Sequence, residues 1–131
     1  MINIFIKTDS HYIVNRKRIR ETINRYFNEK KIKGILEISV NVVGDRLMRL
    51  LNKKYRNLDQ TTDVLAFPLS NGTNFNPFVD PPDGILRLGD IVLSYPQIID
   101  DAIEENKLVE EKIDQLLMHG LDHLLGNHRE I

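Results

Sequence analysis

Apolar and polar positions alternate from the start of the chain, INIFIK (2–7), and that two-residue period predicts a strand. Asn15 then offers a side-chain cap to a helix in which Ile19, Ile23, Tyr26 and Phe27 return at helical spacing, with RKRIR (16–20) at its start. Gly34 closes the next turn, and LEISVNVV (36–43) alternates again as a strand. Asp45 is expected to cap a second helix burying Leu47, Leu50, Leu51 and Tyr55, and DVLAFPL (63–69), halted by Pro68, to form a short buried strand. Residues 70–87 hold three prolines, two glycines and three asparagines and read as a long loop before the strand LGDIVLS (88–94). Ser94 is expected to cap a helix to Glu105 that turns Ile98, Ile99, Ala102 and Ile103 inward. A last helix from Val109 buries Ile113, Leu116 and Leu117, runs through His119 and His123, and can stop at Gly126. The order predicts a single α+β (α/β) domain over residues 1–131, a small mixed sheet packed with helices and no linker.

Composition narrows the class. The 131 residues are 41% hydrophobic and 28% charged, no window approaches a membrane span, and the N-terminus lacks the pattern of a signal peptide. The absence of cysteine excludes disulfides, thiolate zinc sites and cysteine nucleophiles, fits a cytoplasmic location, and leaves nitrogen and oxygen as the only metal ligands. The net charge of −1 hides a division: residues 1–57 carry fourteen Lys or Arg against five acids, and residues 58–131 carry four against fourteen. Such a basic half suits a polyanion, or is neutralised by the acidic helices within the fold.

Three of the four histidines lie in HGLDHLLGNH (119–128). Residues four apart on a helix lie on one face with Cβ atoms about 6 Å apart, so His119 and His123 can turn two ring nitrogens to one ion. A reversal at Gly126 could bring His128 over the same face. Three imidazoles leave one coordination position open, as in catalytic sites, and suit zinc best, with nickel, copper and iron as other candidates. The protease pattern H-E-x-x-H is broken, because Gly120 stands where its glutamate would be; a glycine inside a helix points to close backbone approach, by a neighbouring strand or by substrate. Asp122, three positions after His119, could orient a ligand, act as a base or be solvated.

Three blocks in order, YRNLDQTTDVLAFPL (55–69), LGDIVLS (88–94) and HGLDHLLG (119–126), resemble the YbeY family of single-domain, metal-dependent endoribonucleases linked to ribosomal RNA maturation. The resemblance spans nearly the whole chain. It implies that His119, His123 and His128 hold one zinc ion and that Arg56 and His119 serve cleavage of single-strand-type RNA. It also implies ribosomal RNA as partner, with the small ribosomal subunit or its assembly factors as further candidates. An arginine suits this role because its guanidinium can meet two phosphoryl oxygens as charge builds on them. Thr62 and Asp63 are expected to shape the turn, Phe67 and Pro68 to wall the cleft, and Arg16, Lys17, Arg18, Arg20, Lys53 and Lys54 to track phosphates.

The chain also departs from the family pattern. Ala66 stands where the family has serine, Thr61 where it has proline, and no further helix follows Ile131, so a divergent and C-terminally short member is expected. Only Asn127 separates Gly126 from His128, one residue fewer than the family spacing. One residue shifts reach by up to about 3.5 Å, more than a metal bond tolerates, so the turn rearranges or Glu130, Asp122 or water substitutes. Two rival functions fit the same residues: a non-catalytic, metal-stapled module that docks on RNA or the ribosome, and a zinc hydrolase acting on another substrate.

Overall fold

Alternation in residues 35–43 decides where the core lies: Leu36, Ile38, Val40 and Val42 are buried, while Glu37, Ser39, Asn41 and Val43 between them are only half-buried. In the computed structural model, which describes residues 1–69 and 84–126, this stretch is one of four strands. The element order is β1 (Ile2–Thr8), α1 (Arg16–Glu29), β2 (Ile35–Val43), α2 (Asp45–Arg56), β3 (Val64–Pro68), β4 (Ile85–Ser94), α3 (Tyr95–Glu105) and α4 (Val109–Leu124). The strands form one sheet in the order β1-β2-β4-β3, with β1, β2 and β4 parallel and β3 antiparallel on the edge of β4. The predicted α/β class with a mixed sheet is therefore what the chain adopts. No helix among the described residues is long and apolar enough to cross a membrane.

The main core fills one face of the sheet, where Ile19, Ile23 and Phe27 of α1 and Ile113, Leu116, Leu117, Leu121 and Leu124 of α4 pack with Ile38, Val40, Ile91 and Leu93. Each such side chain taken fully from water contributes about 1.5–3 kcal/mol. Helix α2 meets a separate and smaller cluster, Met48 with Leu65 and Val92. That small footprint corrects the expected inner face of α2: Met48 and Asn52 are its buried residues, and Leu47, Leu50 and Tyr55 are exposed. Similarly Ile98 and Ala102 anchor α3, whereas Ile103 is 75% exposed.

Two caps also differ from expectation. Asn15 accepts from the Arg18 N–H at 3.0 Å as predicted, but the N-cap of α2 is Gly44, and Asp45 is the first helical residue. Ser94 is the N-cap of α3 without making a side-chain cap bond; its hydroxyl donates to Asp45 instead. Residues 85–87, expected in the loop, extend β4 by pairing with β2, and the remaining loop positions 70–83 lie outside the described residues. Between Glu37 and Ile38 the register against β4 slips past Leu88, and the next residue, Gly89, has φ +134°. A Cβ there would lie 2.2 Å from the Phe67 carbonyl oxygen, so this bend, which aligns β3 with β4, requires glycine.

Behind β3, Lys112 is 4% exposed and donates to Glu105 at 2.8 Å, close to Asp101 and Asp63. Burial, then the hydrogen bond and charge of Asp63, push the Asp101 carboxyl up to about 6 against the pull of Lys112. A raised carboxyl stabilises the fold fully below its unfolded value near 3.8 and loses that contribution as pH rises through about 6. Asp101→Asn, which mimics the protonated form, is therefore expected to gain more melting temperature over the parent at pH 8 than at pH 4.5. An offset equal at both pH values contradicts this.

Candidate active site

Helix α4 turns its apolar stripe, Ile113, Leu116, Leu117, Gly120, Leu121 and Leu124, onto the sheet. Gly120 sits where the approach is tightest: a Cβ there would lie 3.0, 3.2 and 3.3 Å from the Cδ1, Cγ1 and Cγ2 atoms of fully buried Ile91. The helical glycine thus answers to packing on a strand, one of the two readings its position allowed. His119 and His123, either side of Gly120 and four residues apart, are both exposed. The helix ends as predicted, with Leu125 N–H bonded to the Leu121 carbonyl and Gly126 at φ +77°.

Arg56 arrives from another direction. It is the last residue of α2, which stops because Asn57 adopts the left-handed conformation at φ 59° and ψ 32°. Arg56, His119 and His123 line one cleft of about 210 Å³ with Gly120 and Val64, Leu65 and Ala66. A strand shows three consecutive residues to a cleft only along its edge, and the edge of β3 opposite β4 is the one available. Phe67 does not wall this cleft: it packs edge-to-face on Tyr55, ring centroids 4.9 Å apart, beside a second groove with Asn41, Leu51, Asp90 and Val92, and Pro68 lines neither. His128 and Glu130 lie outside the described residues. Among the described residues no three His, Asp or Glu side chains gather in a way that could hold a metal ion.

Asp122 is committed elsewhere. It accepts a hydrogen bond from the Tyr26 hydroxyl of α1 and is not among the residues lining the cleft. Burial, then that bond and the carboxylate's charge, raise the Tyr26 hydroxyl well above the ordinary tyrosine value. The basic residues of α1 are also largely spoken for. Arg18 bonds Asp114 at 2.8 Å and Glu110 at 3.1 Å on α4, while Arg16 and Arg20 donate to the Ile6 and Ile4 carbonyls on the outer edge of β1. Of the residues expected to track phosphates, these three make bonds within the fold, while Lys17 is exposed. Arg46, Lys53 and Lys54 of α2 remain exposed near Arg56 in sequence.

A profile of the family described as Endoribonuclease YbeY matches residues 4–130. The chain belongs to the endoribonuclease YbeY family. An Endoribonuclease YbeY from Dehalococcoides mccartyi is 32% identical over 136 residues, covering 99% of this chain and 79% of that protein. One from an Anaeromyxobacter species is 43% identical over 94 residues, covering 72% of this chain and 44% of that protein. The solution structure of a Thermotoga maritima protein superposes with a TM-score of 0.59 at 25% identity, covering 94% of this chain and 72% of the other. YbeY proteins are RNA-cleaving hydrolases by name, and RNA is the substrate class that membership brings.

Sequence reading missed the β3 edge as the wall of this YbeY-family cleft, because strand pairing, and hence which edge stays open, is not written in a local pattern. Gly120 carries a test of the packing that displays the histidines. Gly120→Ala sets a gain of about 1 kcal/mol of helix propensity against overpacking of Ile91 at about 1–3 kcal/mol, so the melting temperature should not rise. A variant stabilised by the full helix-propensity gain of about 1 kcal/mol contradicts the close approach.

Proposed function

We propose that this chain is a zinc-dependent endoribonuclease that cleaves single-strand-type ribosomal RNA at the Arg56–His119–His123 cleft, in the cytoplasm, working with the small ribosomal subunit or its assembly factors. The observation that carries the reading is that two separate helices deliver a guanidinium and two imidazoles to one cleft in a member of an endoribonuclease family. The donor set fits zinc in kind: two exposed imidazoles at helical i, i+4 spacing offer nitrogen ligands, and His128 is proposed as the third. Zinc bound there would polarise a phosphoryl oxygen or lower the pKa of a water from about 15.7 toward 7.

The chain's own groups do the rest. Arg56 has no hydrogen bond or ion pair with a described residue, so its guanidinium is open to clamp two oxygens of the scissile phosphate and offset the charge that builds there. Val64, Leu65 and Ala66 form the wall of the cleft between the two helices. Exposed Lys53 and Lys54 supply sequence-independent attraction to the backbone, weakening with salt. Asp122, bound to Tyr26 and absent from the cleft lining, is given no part in cleavage in this reading.

Two measurements test the reading. With a control for contaminating nuclease, Arg56→Ala and His119→Ala are each expected to lower RNA cleavage at least about 100-fold, the scale of losing one transition-state contact. Melting temperatures should hold, since both side chains are exposed, and Asp122→Asn should keep cleavage within a few-fold. Retained cutting in both the Arg56 and His119 variants overturns the assignment. Elemental analysis should find one zinc per chain, lost in His123→Ala and His128→Ala; equal zinc in the parent and His128→Ala removes His128 from the ligand set.

A further inference from the structure

Beyond Asn57, the chain turns back along the helix it has just left. Leu58 N–H bonds the Asn52 carbonyl at 3.3 Å, Arg49 bonds Asp59 at 2.8 Å, the Asn52 side-chain amide donates to the Gln60 carbonyl at 2.8 Å, and the Thr61 hydroxyl donates to Asp45 at 2.9 Å. Residues 58–61 of the return strap therefore bond the middle and first turns of α2. Asp45 is the node that fixes the assembly to the sheet, because it also accepts from Ser94 at the end of β4 at 2.8 Å and from Gln97 of α3 at 3.3 Å.

Asn52 is the unusual member. It is 1% exposed, its Nδ2 makes the bond to the Gln60 carbonyl, and its Oδ1 has no hydrogen-bond partner among the described residues. A buried, unpaired acceptor costs stability, and an apolar side chain of similar shape beside Met48 would remove that cost. Gln60, the residue that accepts the bond, is itself exposed. What the bond does provide is a fixed distance between the middle of α2 and the strap, one turn before Arg56.

We propose that Asn52, with the Asp45–Thr61 bond, is a positioning device that holds the end of α2 and so places Arg56 over the cleft. Stability is given up at Asn52 for placement. The inference rests on the role proposed above for Arg56, but the placement can be measured without activity. A displacement of about 1 Å at a reacting phosphate can lower turnover up to a hundredfold, so even a small release of the helix end would register in kcat.

The chain has no cysteine, so Lys54→Cys with Met118→Cys, both exposed, gives one defined spin-label pair between the end of α2 and α4. Asn52→Leu is expected to leave the melting temperature unchanged or raised, to broaden that distance distribution, and to lower kcat about tenfold or more with little change in KM. In an Arg56→Ala background the same substitution should change cleavage less than about twofold. Thr61→Val is the second variant, broadening the distribution in the same way, with Thr61→Ser restoring it. A distribution as narrow as the parent's in both variants, a fall in stability with Asn52→Leu, or an equal loss of cleavage with and without Arg56 overturns the proposal. Should Arg56→Ala itself cut RNA at the parent rate, the role of Arg56 falls, while a broadened distribution would still support the strap as the device that holds the end of α2.

Discussion

The placement of the candidate site depends on the contact between Gly120 and Ile91. Because α4 has no side chain at this point, its backbone comes down on β4 closely enough for Leu117, Leu121 and Leu124 to enter the core. The same rotation of the helix leaves His119 and His123 exposed and over the edge of β3. A side chain at 120 would have to be accommodated by moving Ile91 or by lifting the helix, and lifting the helix would carry the histidines with it. The core and the site are thus two faces of one packing constraint, as expected where functional groups sit on rigid elements and not on loops.

Charge is divided between holding the fold and serving the cleft. The sequence separates a basic half from an acidic half, and the fold joins them across α1 and α4, where Arg18 meets Asp114 and Glu110, Thr22 donates to Asp114, and Tyr26 donates to Asp122. Arg16 and Arg20 cap carbonyls on the free edge of β1, which also protects that edge from pairing with other chains. Arg56 is spared such a partner among the described residues. Internal neutralisation, one of the two readings the composition allowed, is seen at Arg18, whereas Arg16 and Arg20 bond neutral carbonyls, and exposed basic residues lie on both α1 and α2.

Strong periodicity made most of the fold legible: α1 with its Asn15 cap, the alternating β2, and α4 with its Gly126 stop all follow from local pattern. The errors lie where tertiary context chooses among apolar residues. Leu47 and Leu50 are as apolar as any core residue, but α2 covers only a small patch of sheet, and that patch is met by Met48 and Asn52. A signal for this was present, since Met48 and Asn52 are four apart; a polar residue on the inner stripe is hard to credit until its partner, the Gln60 carbonyl, is known. The candidate site was half legible. The spacing of His119 and His123 marks a shared face, and Arg56 was carried by the family resemblance alone, since nothing local distinguishes one exposed arginine from its neighbours on α2.

The imidazoles of α4 are proposed to share one ion within reach of Arg56. Zinc-edge X-ray absorption on protein loaded with one equivalent of metal would reveal that sharing, because imidazole ligands leave a distinct outer-shell scattering pattern. A first shell of nitrogen and oxygen at about 2.0–2.1 Å with at least two imidazoles, reduced by one in His119→Ala, is expected. A shell of oxygen alone, or a spectrum unchanged by that substitution, would contradict it.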